Sequence, residues 1–371
     1  MFQAMQLFSR QKLIDVGYDI YSHEKRSIFD RHLGDMWLIA AMTAYGKTLL
    51  VRNLMTQLSD RRIIGFDSRK EHLNLKRMNC INIDGKGDCI PDLLYIDEFG
   101  FKLKDFTNPV DWENAGLNPS GARICANAAE KVARHKNDFE KFMSLINEVP
   151  TKGSNAEFHS TMLSVKSKLK SIRRNFVDEH AVDITYSDAD RIRYTENPFY
   201  ISDWKYFVRK HNHLCINFNS ENNPAKAQLF AGKIMNEIKT ILKPNEPTTI
   251  FMEESHFLYP SVISEDNVPY SSSMVYHYAK VKHKDAVKLV LITQYPHQLN
   301  ESALDEVKWF FIGKLENIKG YSKLDELFRM TSRLDYNPLI NYREWLCYSP
   351  AYNEKFIFKG FDSFTHYEKR K

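Results

Sequence analysis

An α/β fold is what this sequence of 371 residues predicts: a mostly parallel central sheet, helices on both of its faces, and an all-α insertion. Three observations carry that expectation. Short apolar, β-branched runs alternate with amphipathic helical stretches on both sides of the chain's middle. Such alternation covers both faces of a sheet, so its strands read as uninterrupted apolar runs. One of these runs, Trp37-Leu38-Ile39-Ala40-Ala41, passes through a small-residue turn into Gly46-Lys47-Thr48, which opens an apolar helix. From about Asp111 to Asp178 the pattern turns purely helical, with Phe139, Phe142, Met143 and Ile146, then Met162, Val165, Leu169 and Ile172, keeping 3–4 spacing. The expected organisation is an N-terminal segment with the first part of the core (1–110), an α-helical insertion (111–180), and the second part of the core ending in a hairpin (181–371).

Taken in order, the segment up to about Ile28 is mixed and compatible with small strands. After the Gly-Lys-Thr turn, Leu49, Leu50, Val51, Leu54, Met55 and Leu58 mark the helix. Arg62–Asp67 reads as a strand whose terminal carboxylate falls on the ligand edge of a parallel sheet. Between Cys80 and Lys104, apolar runs punctuated by Gly85, Gly87, Pro91 and Gly100 read as hairpins decorating that sheet. Pro119-Ser120-Gly121 and the stretch from Pro150 to Ser154 divide the insertion. Strands are then expected at His213–Phe218, Thr248–Met252, Val287–Thr293 and Trp309–Gly313, with helices at Pro224–Leu242 and Tyr270–Lys280 and a hairpin from Trp345 to Phe361.

Composition excludes several classes. The longest apolar stretches fall far short of the roughly 20 residues a membrane span needs. Met1-Phe2-Gln3-Ala4-Met5 has no charged region leading into an apolar one, so no secretory signal is read. The five cysteines are scattered without zinc-type spacing, which suits a reducing cytoplasm. The net charge of +5 permits nucleic-acid binding without arguing for it. Two basic clusters are candidates for phosphate-backbone contact or a solvated face: Lys166, Lys168, Lys170, Arg173 and Arg174, and then Lys280, Lys282, His283 and Lys284. Lys210-His211-Asn212-His213 has the letters of a nuclease motif but leads into a buried strand, not a metal-binding ββα setting.

The chemistry-bearing motif is the strand–turn–helix at Trp37–Thr48. Backbone N–H groups from Thr43, Ala44, Tyr45, Gly46, Lys47, Thr48 and Leu49 can converge on phosphate oxygens at the positive end of the helix. Lys47 would reach the β- and γ-phosphates of ATP, and the Thr48 hydroxyl would hold Mg²⁺. The full pattern G-x-x-x-x-G-K-[ST] carries Ala41 at its first Gly. A carboxylate must also position Mg²⁺, and a base must orient water. Two apolar runs end in paired acids: Leu93-Leu94-Tyr95-Ile96-Asp97-Glu98 and Ile250-Phe251-Met252-Glu253-Glu254. The first is the better motif. The second has the better context, because a β-branched strand follows a long amphipathic helix and a further strand ends in Thr293-Gln294. Glu253 is then the metal carboxylate, Glu254 the base and Gln294 the γ-phosphate sensor, with Asp97-Glu98 as rival.

The order of blocks resembles the HerA/FtsK superfamily of P-loop motors. A phosphate loop is followed by Asp67-x-x-x-Glu71, a helical insertion, Ile250-Phe251-Met252-Glu253-Glu254-Ser255-His256-Phe257-Leu258, and Leu291-Ile292-Thr293-Gln294-Tyr295-Pro296. The resemblance runs from about His32 to about Tyr348. It implies a RecA-like sheet, Mg²⁺-dependent ATP hydrolysis, a ring of six copies and translocation of double-stranded DNA, with a nuclease or portal protein as partner. Conjugative secretion ATPases share that core, so transport of protein or DNA is the alternative, and a non-hydrolysing nucleotide-binding scaffold the second alternative. Ser255 stands where the family has Ala, and Lys280–Asp285 lacks the family's arginine. Arg329, Arg333 and Arg343 are therefore the candidates for an arginine that acts on a neighbouring subunit's nucleotide. The basic stretch Lys166–Arg174 is the expected DNA-facing or neighbour-facing surface.

Overall fold

Strands without polar interruption can exist only where both sheet faces are covered, and the centre of this sheet follows that rule. The computed structural model describes residues 12–30, 35–67, 90, 93–96, 99–114, 117–133, 138–149, 156–173, 176, 199–201, 204–217, 231–237, 242, 246–261, 287–328 and 341–361. The strands are β1 (Lys12–Asp19), β2 (Lys25–Asp30), β3 (Met36–Ala40), β4 (Arg62–Asp67), β5 (Leu94–Ile96), β6 (Phe99–Gly100), β7 (Phe199–Tyr200), β8 (His213–Asn217), β9 (Thr248–Met252), β10 (Val287–Thr293), β11 (Val307–Ile312), β12 (Glu344–Ser349) and β13 (Glu354–Gly360).

Among the described residues, eleven strands form one sheet in the order β2-β1-β13-β12-β11-β3-β10-β9-β4-β8-β5. The seven from β11 to β5 run parallel. From β11 outwards, β12, β13, β1 and β2 pair antiparallel. All five residues of β3 are buried, and their alternation splits them between two apolar layers. Met36, Leu38 and Ala40 join the layer that holds the helices Pro119–Ala133, Phe139–Glu148 and Ala156–Ile172 together with helical residues 231–237. Trp37 and Ile39 join the layer that holds Leu50, Val51, Leu54 and Met55 of the helix Lys47–Gln57. The parallel α/β class and the helices on both faces are those expected.

Two local readings change. The mixed N-terminal segment forms a complete hairpin, β1–β2, that extends the main sheet through β13. Leu94–Ile96, read as an exposed hairpin, is a buried parallel strand at the sheet's edge beside β8. Its residues pack alternately into both layers, with Leu94 and Ile96 in one and Tyr95 in the other, so burial outweighs the flanking Pro91 and Gly100. The expected helix Tyr270–Lys280, the cluster Lys280–Lys284, Glu71, and the acids Asp97 and Glu98 lie outside the described residues.

The antiparallel half curls around the helix Lys47–Gln57. Gln57 and Asn53 donate to the Asp15 carbonyl (Nε2 at 2.6 Å, Nδ2 at 2.9 Å), and Asp15 N–H donates back to Gln57 Oε1 at 2.8 Å. The curl brings Asp30, at the end of the outermost strand, against β10. There Lys288 Nζ lies 2.9 Å from one Asp30 oxygen and Arg61 Nη2 lies 2.7 Å from the other. Lys288 also sits 4.3 Å from the Trp37 ring centroid. Burial pushes the Lys288 amine below its ordinary range. For Asp30, burial opposes the charge, but Lys288 and Arg61 together hold the carboxyl below its usual value. The network ties the hairpin to the parallel core at the edge opposite the strand tips. Among the described residues, no helix is long and apolar enough to cross a membrane.

Candidate nucleotide site

β3 ends at Ala40, and the chain turns tightly before the helix begins at Lys47. Gly46 caps the helix with φ +102°, a conformation that L-residues with side chains rarely adopt. Ala44 also has positive φ, at 59°. The loop is anchored by its neighbours: Met42 N–H donates to the Lys314 carbonyl at 2.7 Å, and Ala41 N–H to that of Thr293 at 3.3 Å. Lys47 Nζ folds back on the loop and donates to the carbonyls of Ala41 (2.8 Å) and Met42 (2.9 Å).

The Ala41 departure has a structural answer. Its methyl is buried and faces Gly313, at the end of β11. A Cβ added at Gly313 would lie 2.8 Å from that methyl and 2.5 Å from the Tyr45 ring. The missing side chain at Gly313 supplies the room. Tyr45 itself turns away from the loop's concave side. Its hydroxyl donates to the Glu344 carbonyl at 2.6 Å and its ring meets Trp345 edge-on at 5.5 Å. Its side chain is therefore a bolt between loop and β12, and only its backbone is available to a phosphate.

β10 lies between β3 and β9, so the acids after β9 stand two ladder steps from the loop strand, about 10 Å. Gln294 bridges that gap. Thr43 Oγ1 donates to Gln294 Oε1 at 2.7 Å, and Gln294 Nε2 donates to Glu254 Oε1 at 2.8 Å. An ionised carboxylate can only accept, so this orientation of the amide follows from chemistry. Glu253 and Glu254 are both nearly buried. Glu253 N–H donates to the Phe66 carbonyl at 3.0 Å, which docks the acid pair on β4. Glu254 adopts φ +48°, ψ +43° at the head of the short helix Ser255–Leu258. Of the six described residues with positive φ, four gather here: Ala44, Gly46, Glu254 and Arg343. Three of them carry side chains, and such locally strained residues cluster at ligand-binding and catalytic sites.

Behind Glu254, His256 Nδ1 lies 3.0 Å from Thr293 Oγ1 and 3.5 Å from Glu254 Oε2. Burial, with a smaller contribution from His297, pushes the imidazole down to about 4, so it is neutral near pH 7. Ser255 Oγ donates to the Ile292 carbonyl at 3.0 Å, a bond that an alanine at this position could not make. Asp67 reaches the same sheet edge but is buried and accepts from the Tyr95 hydroxyl at 2.8 Å.

The structure thus brings together Thr43, Ala44, Gly46, Lys47, Thr48, Leu49, Glu253, Glu254 and Gln294. β5, which leads toward the rival acids, ends at Ile96, five ladder steps from β3 or roughly 24 Å. Arg329, Arg333 and Arg174 lie outside the described residues. Arg343 lies beside this chain's own loop: a Cβ added at Gly46 would meet Arg343 Cγ at 2.5 Å. No sequence signal marked that neighbour, nor the Thr43 hydroxyl as the partner of Gln294. In the basic stretch, Lys168 is half-buried with its amine pushed down by burial, and Arg173 pairs with Glu140. His213 is also structural, its Nε2 lying 3.0 Å from the Ser59 carbonyl and 3.2 Å from that of Arg61.

The glycine conformation, the strand–turn–helix and the nearly buried acids that follow β9 fit a nucleoside triphosphate with Mg²⁺. No protein-family model and no curated protein matches the sequence. Solved structures do match. The chain is similar to VirB4 of Thermoanaerobacter pseudethanolicus, with 13% identity over 94% of this chain and 96% of that one at a TM-score of 0.55. It is similar to the bacterial conjugative coupling protein TrwB in its unbound monoclinic form, with 11% identity over 98% and 92% of the two chains at a TM-score of 0.58. The DNA-packaging ATPase B204 from Sulfolobus turreted icosahedral virus matches more loosely, with 9% identity over 89% and 98% at a TM-score of 0.42. At these identities the likeness to VirB4 and TrwB shows a shared fold, the RecA-like sheet that the sequence resemblance implies.

Proposed function

We propose that this chain is a Mg²⁺-dependent ATPase of HerA/FtsK type, working as a ring of six copies that translocates double-stranded DNA in a reducing cytoplasm. The observation that carries the reading is the hydrogen-bonded chain from Thr43 through Gln294 to Glu254, which links the phosphate loop to a nearly buried carboxylate. In this reading the Lys47 amine swings from the Ala41 and Met42 carbonyls to the β- and γ-phosphates. Backbone N–H groups of residues 43–49 bind phosphate oxygens, helped by the helix N-terminus. Thr48 and Glu253 would hold Mg²⁺, which when bound spreads the charge that develops on the phosphates. Glu254 orients the attacking water and takes its proton, held in place by Gln294. Gln294 touches both the loop and the base, so it can report the terminal phosphate to β9.

The experiment is phosphate release with and without duplex DNA over a salt series. A DNA motor speeds up with duplex DNA and loses that stimulation steeply as salt rises. The second reading, an ATPase driving conjugative-type secretion, draws on the superpositions with proteins named VirB4 and conjugative coupling protein. It expects turnover that responds little to duplex DNA. A chain that forms nucleotide-dependent rings without turnover would instead be an assembly scaffold. A nuclease or portal protein is the partner class for the DNA motor.

A further inference from the structure

We infer that Arg343 and Tyr342 form the wall for the nucleoside end of a nucleotide held by this chain's own phosphate loop. The inference deepens the proposed ATPase reading and rests on it. The sheet sets the direction of the bound nucleotide. Gln294 and Glu254, on the β10 and β9 side of β3, mark where the terminal phosphate must sit. The phosphate chain therefore runs away from them, and the nucleoside leaves the loop on the other flank of β3, toward β11 and β12.

The turn before β12 stands on that flank. Arg343 lays its stem on Gly46, with Cγ 2.5 Å and Cδ 3.3 Å from where a Cβ would be. It does so from a left-handed backbone, φ +67°, which a residue with a side chain adopts only against steric cost. The turn is held rigid. Glu344 accepts from Asn341 N–H at 3.0 Å and from Asn341 Nδ2 at 2.6 Å, the Arg343 carbonyl accepts from Gly360 N–H at 2.9 Å, and the Glu344 carbonyl takes the Tyr45 hydroxyl. The guanidinium lies 4.8 Å from the Tyr342 ring centroid and donates to the Phe361 carbonyl at 3.4 Å. Tyr342 is half-exposed. A planar cation held over a half-exposed aromatic ring, beside the loop, offers π surface on which a base can stack. The same geometry makes Arg343 a residue of its own subunit's site rather than a donor to a neighbour's nucleotide.

The test compares ATP with inorganic tripolyphosphate, which has the phosphates and no nucleoside. Arg343→Lys keeps a stem on Gly46 and removes the planar face. Tyr342→Ala removes a half-exposed ring and leaves the fold intact. Both variants should weaken ATP binding by about tenfold while tripolyphosphate binding changes by less than about twofold. Equal weakening of both ligands would overturn the inference, because the residues would then act through the phosphates. Unchanged binding of both ligands, with turnover lost, would overturn it in favour of action on a neighbour's site. A wild-type chain that binds neither ligand would overturn the ATPase reading along with it, a result distinct from intact binding with insensitive variants.

Discussion

Glu254→Gln separates the proposed chemistry from mere nucleotide binding. Glu254 Oε1 accepts from Gln294 Nε2 at 2.8 Å, and a glutamine at 254 keeps a carbonyl oxygen there. The bridge to Thr43 therefore survives, the loop is undisturbed, and no buried charge is stranded. What disappears is the proton acceptor. General-base catalysis contributes about 10²–10⁴-fold, so kcat should fall by that factor, a barrier increase of roughly 3–5 kcal/mol. ATP affinity measured by calorimetry should stay within about threefold, because the binding groups of the loop are untouched. Single-turnover phosphate release reads the chemical step directly. The controls are Asp97→Asn and Glu98→Gln, in the segment after β5, whose last residue, Ile96, lies five ladder steps from β3. They should turn over within about threefold of wild type. Normal turnover by Glu254→Gln, with either control dead, would refute the assignment of the acid pair.

Lys47→Ala should abolish detectable turnover and weaken ATP binding, because the side-chain cation that donates to the loop's own Ala41 and Met42 carbonyls is removed; retained phosphate release would contradict the site. Thr43→Val deletes the donor to Gln294 Oε1, a bond of about 1 kcal/mol, so kcat should drop roughly fivefold and Thr43→Ser should restore it. Stability should depend on pH through His256: its folded value of about 4 lies below the ordinary 6.5, so the folded state binds fewer protons between them. The contribution is complete above pH 6.5 and is lost as pH falls toward 4, on the order of 3 kcal/mol, and urea midpoints of wild type and His256→Asn should converge on acidification. Lys288→Met leaves Asp30 in the core with Arg61 after losing its 2.9 Å partner, and should cost about 3 kcal/mol in denaturant melts; an unchanged midpoint would show that Arg61 suffices.

Several elements were legible because their signals are local. Thr248–Met252 and Val287–Thr293 are strands with the boundaries their apolar runs indicate, and Lys47 begins the helix that Gly46 caps. A buried parallel strand needs apolar side chains on both faces, and a left-handed cap needs glycine, so composition alone marks both. Leu94–Ile96 differs from its expectation because a short apolar run between Pro91 and Gly100 fits an edge strand and a hairpin equally well. Its parallel pairing with β8, far along the chain, is a tertiary fact.

The amino-acid sequence by itself determined the strand–turn–helix that Gly46 caps, the strand ends that carry Glu253, Glu254 and Gln294, and the parallel α/β class, since each depends on residue type at short spacing. Only the tertiary structure decided which acids face the loop, because strand order, with β10 between β3 and β9, is set by packing between segments more than two hundred residues apart. It also decided that Gly313 makes room for Ala41 and that Arg343 lies on Gly46 of the same chain. Those neighbours are chosen by how a twisted sheet closes over its helix, and no periodicity along the chain encodes that closure.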